Sequence, residues 1–283
     1  MAVKIVTDST SDLPRETAEA LDITVVPLNV HFGLEVFKDQ VDLSADEFYQ
    51  RLVTEKELPK TSQPSIGDFI AVYERIGRDA EGIVSVHVSE KVSGTINSAR
   101  QAALQADVSC PIEVLDTLQA SMGIGMVAIE AASVAADGAD PARVASSARD
   151  AISRCQCFAL LDTLEYLQKG GRIGKARAML GTLLRIRPMI ILREGEVHEL
   201  GKERTRPKAI ARLVRTAREF SPLERLAVLY STNRDDAQEI ADTLADLMVD
   251  RQTPMVVQFG PALGTYVGPD SVGIGLLRSA GDA

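Results

Sequence analysis

The chain of 283 residues contains no tryptophan, and aromatic side chains make up only 4% of it. Its interior must therefore be packed with aliphatic side chains, and it has few stacking platforms for single-stranded nucleic acid. Cysteine is nearly as scarce. Cys110, Cys155 and Cys157 form an odd set, two of them a single residue apart, which suits neither a disulfide framework nor a zinc cluster. Free thiols in a reducing cytosol are the expectation. Only three histidines are present, His31, His87 and His198, each in a segment that reads as strand or hairpin. A Ser-His-Asp triad would need one of them beside a nucleophile, and neither Gly-x-Ser-x-Gly nor His-Glu-x-x-His occurs. No apolar run approaches the roughly 20 residues of a membrane helix. The opening MAVKIVTDST lacks the basic and apolar regions of a signal peptide. These absences lead us to expect a cytoplasmic chain, monomeric by default, with no metal.

Glycine-rich phosphate loops are missing as well. The first apolar run, Val3 to Thr7, is followed by Asp8-Ser9-Thr10-Ser11-Asp12. A dinucleotide pyrophosphate would meet carboxylates there instead of bare amides, and no P-loop is present. Hydrophobic residues at 45% and charged residues at 25% are ordinary for a globular chain able to bury a sizeable core. The net charge of −9 disfavours a general phosphate-backbone binder. That charge is uneven: residues 169–218 carry fourteen Lys/Arg against four Asp/Glu. The block reads either as a local docking or phosphate-facing surface or as solvated helix faces.

Periodicity gives strands at Val3–Thr7, Ile23–Val30, Gly82–Val88 and Ile112–Leu115. Helices follow Pro14, Ser44 (with Glu47) and Ser65 (with Asp68), and run over Ser93–Ala106, Gln119–Ala136 and from Asp140-Pro141. This alternation predicts a mostly parallel sheet with helices on its faces. The second half differs. It reads as a strand at Phe158–Leu161, a break at Gly170-Gly171, a helix over Ala176–Leu184, and a hairpin of Pro188–Leu192 and Val197–Leu200 closed at Glu194-Gly195. A basic helix over Thr205–Phe220, a strand at Leu226–Tyr230, a helix over Asp235–Met248, a strand at Met255–Gln258 and a glycine-rich tail complete it. We expect an α/β fold of two domains, an N-terminal α/β/α domain over 1–153 and a C-terminal α+β domain over 154–283.

Hydroxyl-rich loops stand at the element junctions. One is Lys60-Thr61-Ser62-Gln63-Pro64-Ser65; another is Ser93-Gly94-Thr95, directly before a helix. Hydroxyls and free amides at a helix start can hold an anion, and Gly94 would let a ligand approach the backbone. The same serines can instead be plain helix caps. Arg172 and Arg204 lie in loops of the basic block and suit forked recognition of phosphate or carboxylate; a helix C-cap at Gly170 or Gly171 with a surface arginine is the alternative.

In this order the pieces resemble the DegV family of bacterial fatty-acid-binding proteins. The resemblance rests on Val6–Leu13, Thr61–Ser65, Val92–Ala99, Asp116-Thr117 with Ser121-x-Gly123-x-Gly125, Tyr166–Ile173, Arg187-Pro188, Arg204-Thr205, Gly260-Pro261 and Gly268-Pro269. It covers essentially the whole chain. It implies a two-domain fold shared with dihydroxyacetone-kinase-like proteins, with a long-chain fatty acid in a tunnel between or beneath the domains. It further implies that Thr61 and Ser93 hydrogen-bond the carboxylate, with Ser62, Gly94 and Thr95 as neighbours. Arg172 and Arg204 match arginines that serve a complex with a fatty acid kinase, which makes an acyl phosphate usable in phospholipid synthesis. Catalysis, on this resemblance, belongs to the partner and not to the chain. In one place the chain departs from the family: Tyr266 stands where many members carry a histidine that helps hold the carboxylate. A phenol donates a hydrogen bond but does not become cationic. Asp270, where the family prefers glycine, follows closely. The rival readings are a lipid hydrolase or acyltransferase using Ser93, and a carrier or sensor that needs no kinase.

Overall fold

A computed structural model describes residues 2–181, 186–249 and 252–281. The chain begins with β1 (Ala2–Asp8), α1 (Arg15–Ala20), β2 (Ile23–Val26), β3 (Asn29–Phe32) and β4 (Glu35–Lys38). It continues through α2 (Ala45–Thr54), β5 (Lys60–Ser62), α3 (Ile66–Gly77), β6 (Ala80–His87), α4 (Thr95–Gln105) and β7 (Ile112–Asp116). Strands β2, β1, β6 and β7 form, in that order, a wholly parallel sheet. Side chains alternate across it. Val6 and Ile83 pack with Phe69 and Tyr73 of α3 and Ala99 of α4, while Val3, Ile5, Val84 and Val86 face the other way into the main core.

That main core is organised by α5 (Met122–Ala136), which is followed by α6 (Pro141–Arg154). Ten residues of α5 are buried, on every side of the helix. A helix apolar all round needs cover all round. It has the parallel sheet on one side and a second sheet on the other, touching β1 and β6 in the first and, in the second, β8 (Cys155–Leu160) and the last strand of the chain. The apolar residues of α5 are thus packed as core between two sheets.

The second sheet adds α7 (Glu165–Lys169), β9 (Arg187–Arg193), β10 (Glu196–Glu203), α8 (Arg206–Arg218), β11 (Leu223–Tyr230), α9 (Arg234–Leu244), β12 (Met255–Gln258), α10 (Pro261–Val267) and β13 (Val272–Arg278). Its strand order is β10-β9-β8-β13-β11-β12, antiparallel except between β11 and β12. Phe158, Leu160, Met189 and Ile191 face α8 and α9, and Ala159, Leu161, Ile190 and Leu192 face the main core. Part of the basic block is paired here: Arg206 pairs with Asp236 at 2.6 Å, Arg212 with Glu203 at 3.4 Å, and Arg218 with Asp246 at 2.8 Å.

Three sequence expectations need correction. Ile23–Val30 is not one strand: Pro27, which has no amide hydrogen to give a ladder, divides it, and β3 joins β4 and β5 in a small antiparallel sheet. The glycine-rich tail is β13, an interior strand of the second sheet. Its glycines are there for contact, since a Cβ on Gly275 would stand 2.8 Å from Met122 Cβ and one on Gly273 would stand 2.7 Å from the Phe259 ring. The helix read over Ala176–Leu184 begins as a 3-10 run, Gly174–Met179, and its residues 182–184 lie outside the described residues.

Candidate functional site

Elements from both sheets converge on an apolar cavity of about 100 Å³. Leu28, Val88 and Val92 wall it from the first half of the chain, and Ile190, Leu192 and Val197 from the β9–β10 hairpin. The hairpin turns at Glu194 and Gly195, both at positive φ as a two-residue turn of this hand requires. Its tip is tied to the first half where Ser89 Oγ donates to Gly195 O at 2.9 Å. Leu167 of α7 and Ala262, Leu263 and Val267 of α10 complete the wall.

The polar groups of the lining are Thr10, Thr61, Ser93, Arg172 and Tyr266. Thr61, Arg172 and Tyr266 also line an outer groove of about 630 Å³ with Lys56, Lys60 and Lys169, so they stand where the cavity meets the surface. Thr61 Oγ1 and the Tyr266 hydroxyl share a hydrogen bond of 2.5 Å. Residues 205 apart in sequence thus meet at the mouth. The Tyr266 ring lies against Gly170, where an added Cβ would come within 2.6 Å of it, and the Arg172 guanidinium lies 5.2 Å from its centroid.

Helix α7 sets the arginine there. Gly171 takes φ +73° after the last turn, its amide donates to Gln168 O at 3.1 Å, and the Arg172 amide donates to Leu167 O at 3.0 Å. These are the paired bonds of a glycine-terminated helix end, and they reverse the chain so that Arg172 returns over Tyr266. Its side chain donates to Val92 O at 3.2 Å and Gly170 O at 2.9 Å. Arg204 is elsewhere, lining a separate groove with Asp162, Arg187 and Pro188.

Ser93 reaches the cavity, and its hydroxyl is hydrogen-bonded to Thr95 Oγ1 at 2.9 Å while accepting from the Thr95 amide at 3.3 Å. Thr95 itself is fully buried outside the lining. Gly94 accommodates the side chain of Gln63, whose carboxamide would be 2.7 Å from an added Cβ; the close approach expected there is made by Gln63. Ser62 points away from Thr61, as alternation along β5 demands, and bonds His31 Nε2 at 2.9 Å and Asn29 Nδ2 at 3.2 Å. Ser65 is a cap, in a capping box with Asp68. Of the residues the sequence reading named for the fatty acid, the fold brings Thr61, Ser93 and Tyr266 together and places Ser62, Gly94 and Thr95 outside this lining; of the two arginines it named for a partner, Arg172 joins the lining and Arg204 stands apart. That reading did not single out Thr10, whose hydroxyl donates to Asp8; the signals were its place in the acidic loop after β1 and in the Val6–Leu13 segment of the resemblance.

One arrangement looks catalytic and has no access. His87 is hydrogen-bonded to Asp8 at 2.9 Å and to Ser85 at 2.7 Å, and Ser85 to Tyr73 at 2.9 Å. All four residues are at 0% exposure and none lines the cavity, so no substrate reaches the serine. Burial also pushes the thiols of Cys155 and Cys157 up, the latter to about 12, and keeps them in the unreactive thiol form.

The model of the DegV family, described as "Uncharacterised protein, DegV family", matches residues 2–279. Solved structures share both fold and sequence with the chain. A DegV family protein from Thermus thermophilus, described for its fatty acid binding, is 32% identical with a TM-score of 0.90, over 99% of this chain and 100% of that one. DegV of Bacillus subtilis, described as a fatty acid binding protein, is 31% identical with a TM-score of 0.88, over 99% and 100%. A stearic acid-binding protein from Eubacterium ventriosum is 27% identical with a TM-score of 0.89, over 98% of each chain.

Proposed function

The chain belongs to the DegV family, and on that premise we propose that it binds one long-chain fatty acid in this cavity and presents the carboxylate to a separate fatty acid kinase, itself catalysing nothing. The observation that carries the reading is the aliphatic cavity whose mouth gathers two hydroxyls and a guanidinium: Thr61, Tyr266 and Arg172. Apolar walls supply affinity, at about 0.8 kcal/mol for each methylene buried, and the few polar groups fix which end faces out. Tyr266 and Thr61 share one hydrogen bond, so an entering carboxylate can take both hydroxyls as donors by displacing it. Arg172 adds the positive charge that a tyrosine in place of histidine cannot. The volume of about 100 Å³ is below the roughly 300–1,000 Å³ of ordinary ligand sites. Loading therefore requires the lining to part, and binding includes a conformational step.

A hydrolase using Ser93 is disfavoured, because among the described residues that hydroxyl bonds Thr95 and not a histidine. The test of the kinase role is reconstitution with a fatty acid kinase, ATP and palmitate. Acyl phosphate should form only when both proteins are present. Arg204→Glu is the informative variant, because Arg204 lies outside the cavity lining: it should keep palmitate binding and lose turnover. Normal turnover in that variant contradicts the docking role, and turnover by the chain alone contradicts the whole reading.

A further inference from the structure

Behind α10, Asp8, Asp12 and Asp39 are at most 3% exposed, and no lysine or arginine pairs with them among the described residues. Asp12 Oδ2 accepts from Ser121 Oγ at 2.6 Å, and its Oδ1 accepts from the Gly260 amide at 2.9 Å. Asp39 Oδ1 accepts from the Ala262 amide at 3.2 Å, while its Oδ2 has no hydrogen-bond partner among the described residues. The Tyr49 hydroxyl, buried beside the same carboxylates, is unpartnered as well. An unpaired acceptor and an unpaired hydroxyl in a buried acidic cluster without a cationic partner mark a place where a proton decides the energy.

We infer that Asp12 and Asp39 are positioning residues that latch the first turn of α10, and with it Tyr266, and that the latch holds while the cluster is protonated. Burial raises the carboxyl of Asp12 well above its ordinary range and that of Asp39 to about 7. The groups facing them are Asp8 of β1 with its partner His87, Tyr49 of α2 and Cys157 of β8. The exposed Arg15–Glu19 pair lies on the rim of the surface groove that Asp39 lines, which is a route for water. When α10 lifts, both carboxyls are hydrated and return towards their ordinary values. The closed form then holds a proton that the open form releases, so raising the pH from about 4 to about 7 favours opening. The latch stands on its own geometry; that it governs entry of a fatty acid rests on the function proposed above.

The test is hydrogen exchange of the delipidated full chain at about pH 5 and about pH 8, corrected for intrinsic rates. The reporters are the Gly264 and Gly268 amides, which donate to Gly260 O at 2.7 Å and Gly264 O at 2.9 Å. Protection should fall at least about tenfold in the wild type and by a clearly smaller factor in Asp39→Asn, where Asp12 alone of the two carboxyls remains. Equal or rising protection in the wild type overturns the latch, as does a variant that falls like the wild type. If Asp39→Asn does not fold, Asp12→Asn makes the same comparison, and a flat wild-type profile is decisive alone. Palmitate binding on the same samples separates the two ideas. If no palmitate binds at any pH and the protection change persists, the fatty-acid reading fails and the latch stands.

Discussion

Tyr266 and Thr61 hold each other at the mouth through a 2.5 Å bond, and Arg172 covers the ring. Tyr266→Phe removes one donor to a carboxylate and keeps the ring, so palmitate affinity should fall about three- to tenfold, as for one lost hydrogen bond. Displacement of a fluorescent fatty acid measures this, and an unchanged affinity would remove the phenol from the clamp. Asp39 yields a prediction of another kind. Its carboxyl is raised to about 7 in the fold by burial, against an ordinary 3.8. Between these values the folded chain keeps a proton that the unfolded chain has lost, so stability falls as pH rises through that window and levels off above it. Denaturation across pH should show that slope. In Asp39→Asn the slope should shrink, with stability near pH 8 higher by on the order of 2 kcal/mol; a slope unchanged in the variant would place the titration elsewhere. Thr61 and Ser93 stood out as hydroxyls in polar loops that could equally be caps, and Tyr266 was marked only by the resemblance to the family. Ser62 was read with its neighbour because a loop was assumed, and once Lys60–Ser62 is a strand its side chain must point to the other face. The Asp12–Gly260 contact spans 248 residues, beyond the reach of any local pattern.

Capping and turn chemistry were the most readable features of the elements. The boxes at Ser44 and Ser65, the Asp140 cap and the Glu194-Gly195 turn all formed where the residues indicated. Ser65→Ala should cost α3 about 1 kcal/mol in thermal or chemical unfolding and leave palmitate affinity alone, which separates the cap from the ligand hydroxyls nearby. Gly171→Ala forces an unfavourable φ at the end of α7. It should destabilise by about 1 kcal/mol and weaken palmitate binding, because Arg172 leaves the ring. If binding survives the destabilisation, the arginine is not part of the clamp. The strand β13 was not readable, since glycines at 273 and 275 erase the alternation that marks a strand. Their reason lies in the side chains of Phe259 and Met122, supplied by other elements.

For the whole molecule, the alternation of strands and helices was enough to indicate a parallel sheet followed by a mixed one. It could not reveal that one helix serves both sheets. We propose 1–153 and 154–283 as the two units of the fold; α6 ends at Arg154 and β8 begins at Cys155. Because α5 is buried between the sheets, residues 1–153 expressed alone should expose its β8 and β13 face and fail to give a cooperative unfolding transition. A sharp transition in that fragment would contradict a shared core. The central claim is that the cavity between these units holds one fatty acid by its chain and orients it by its carboxylate. Native mass spectrometry of the purified chain, before and after delipidation and again with palmitate added, tests it most directly. The account predicts one fatty acid per chain, removed on delipidation and regained from palmitate. A chain that carries no lipid and takes up none would contradict it.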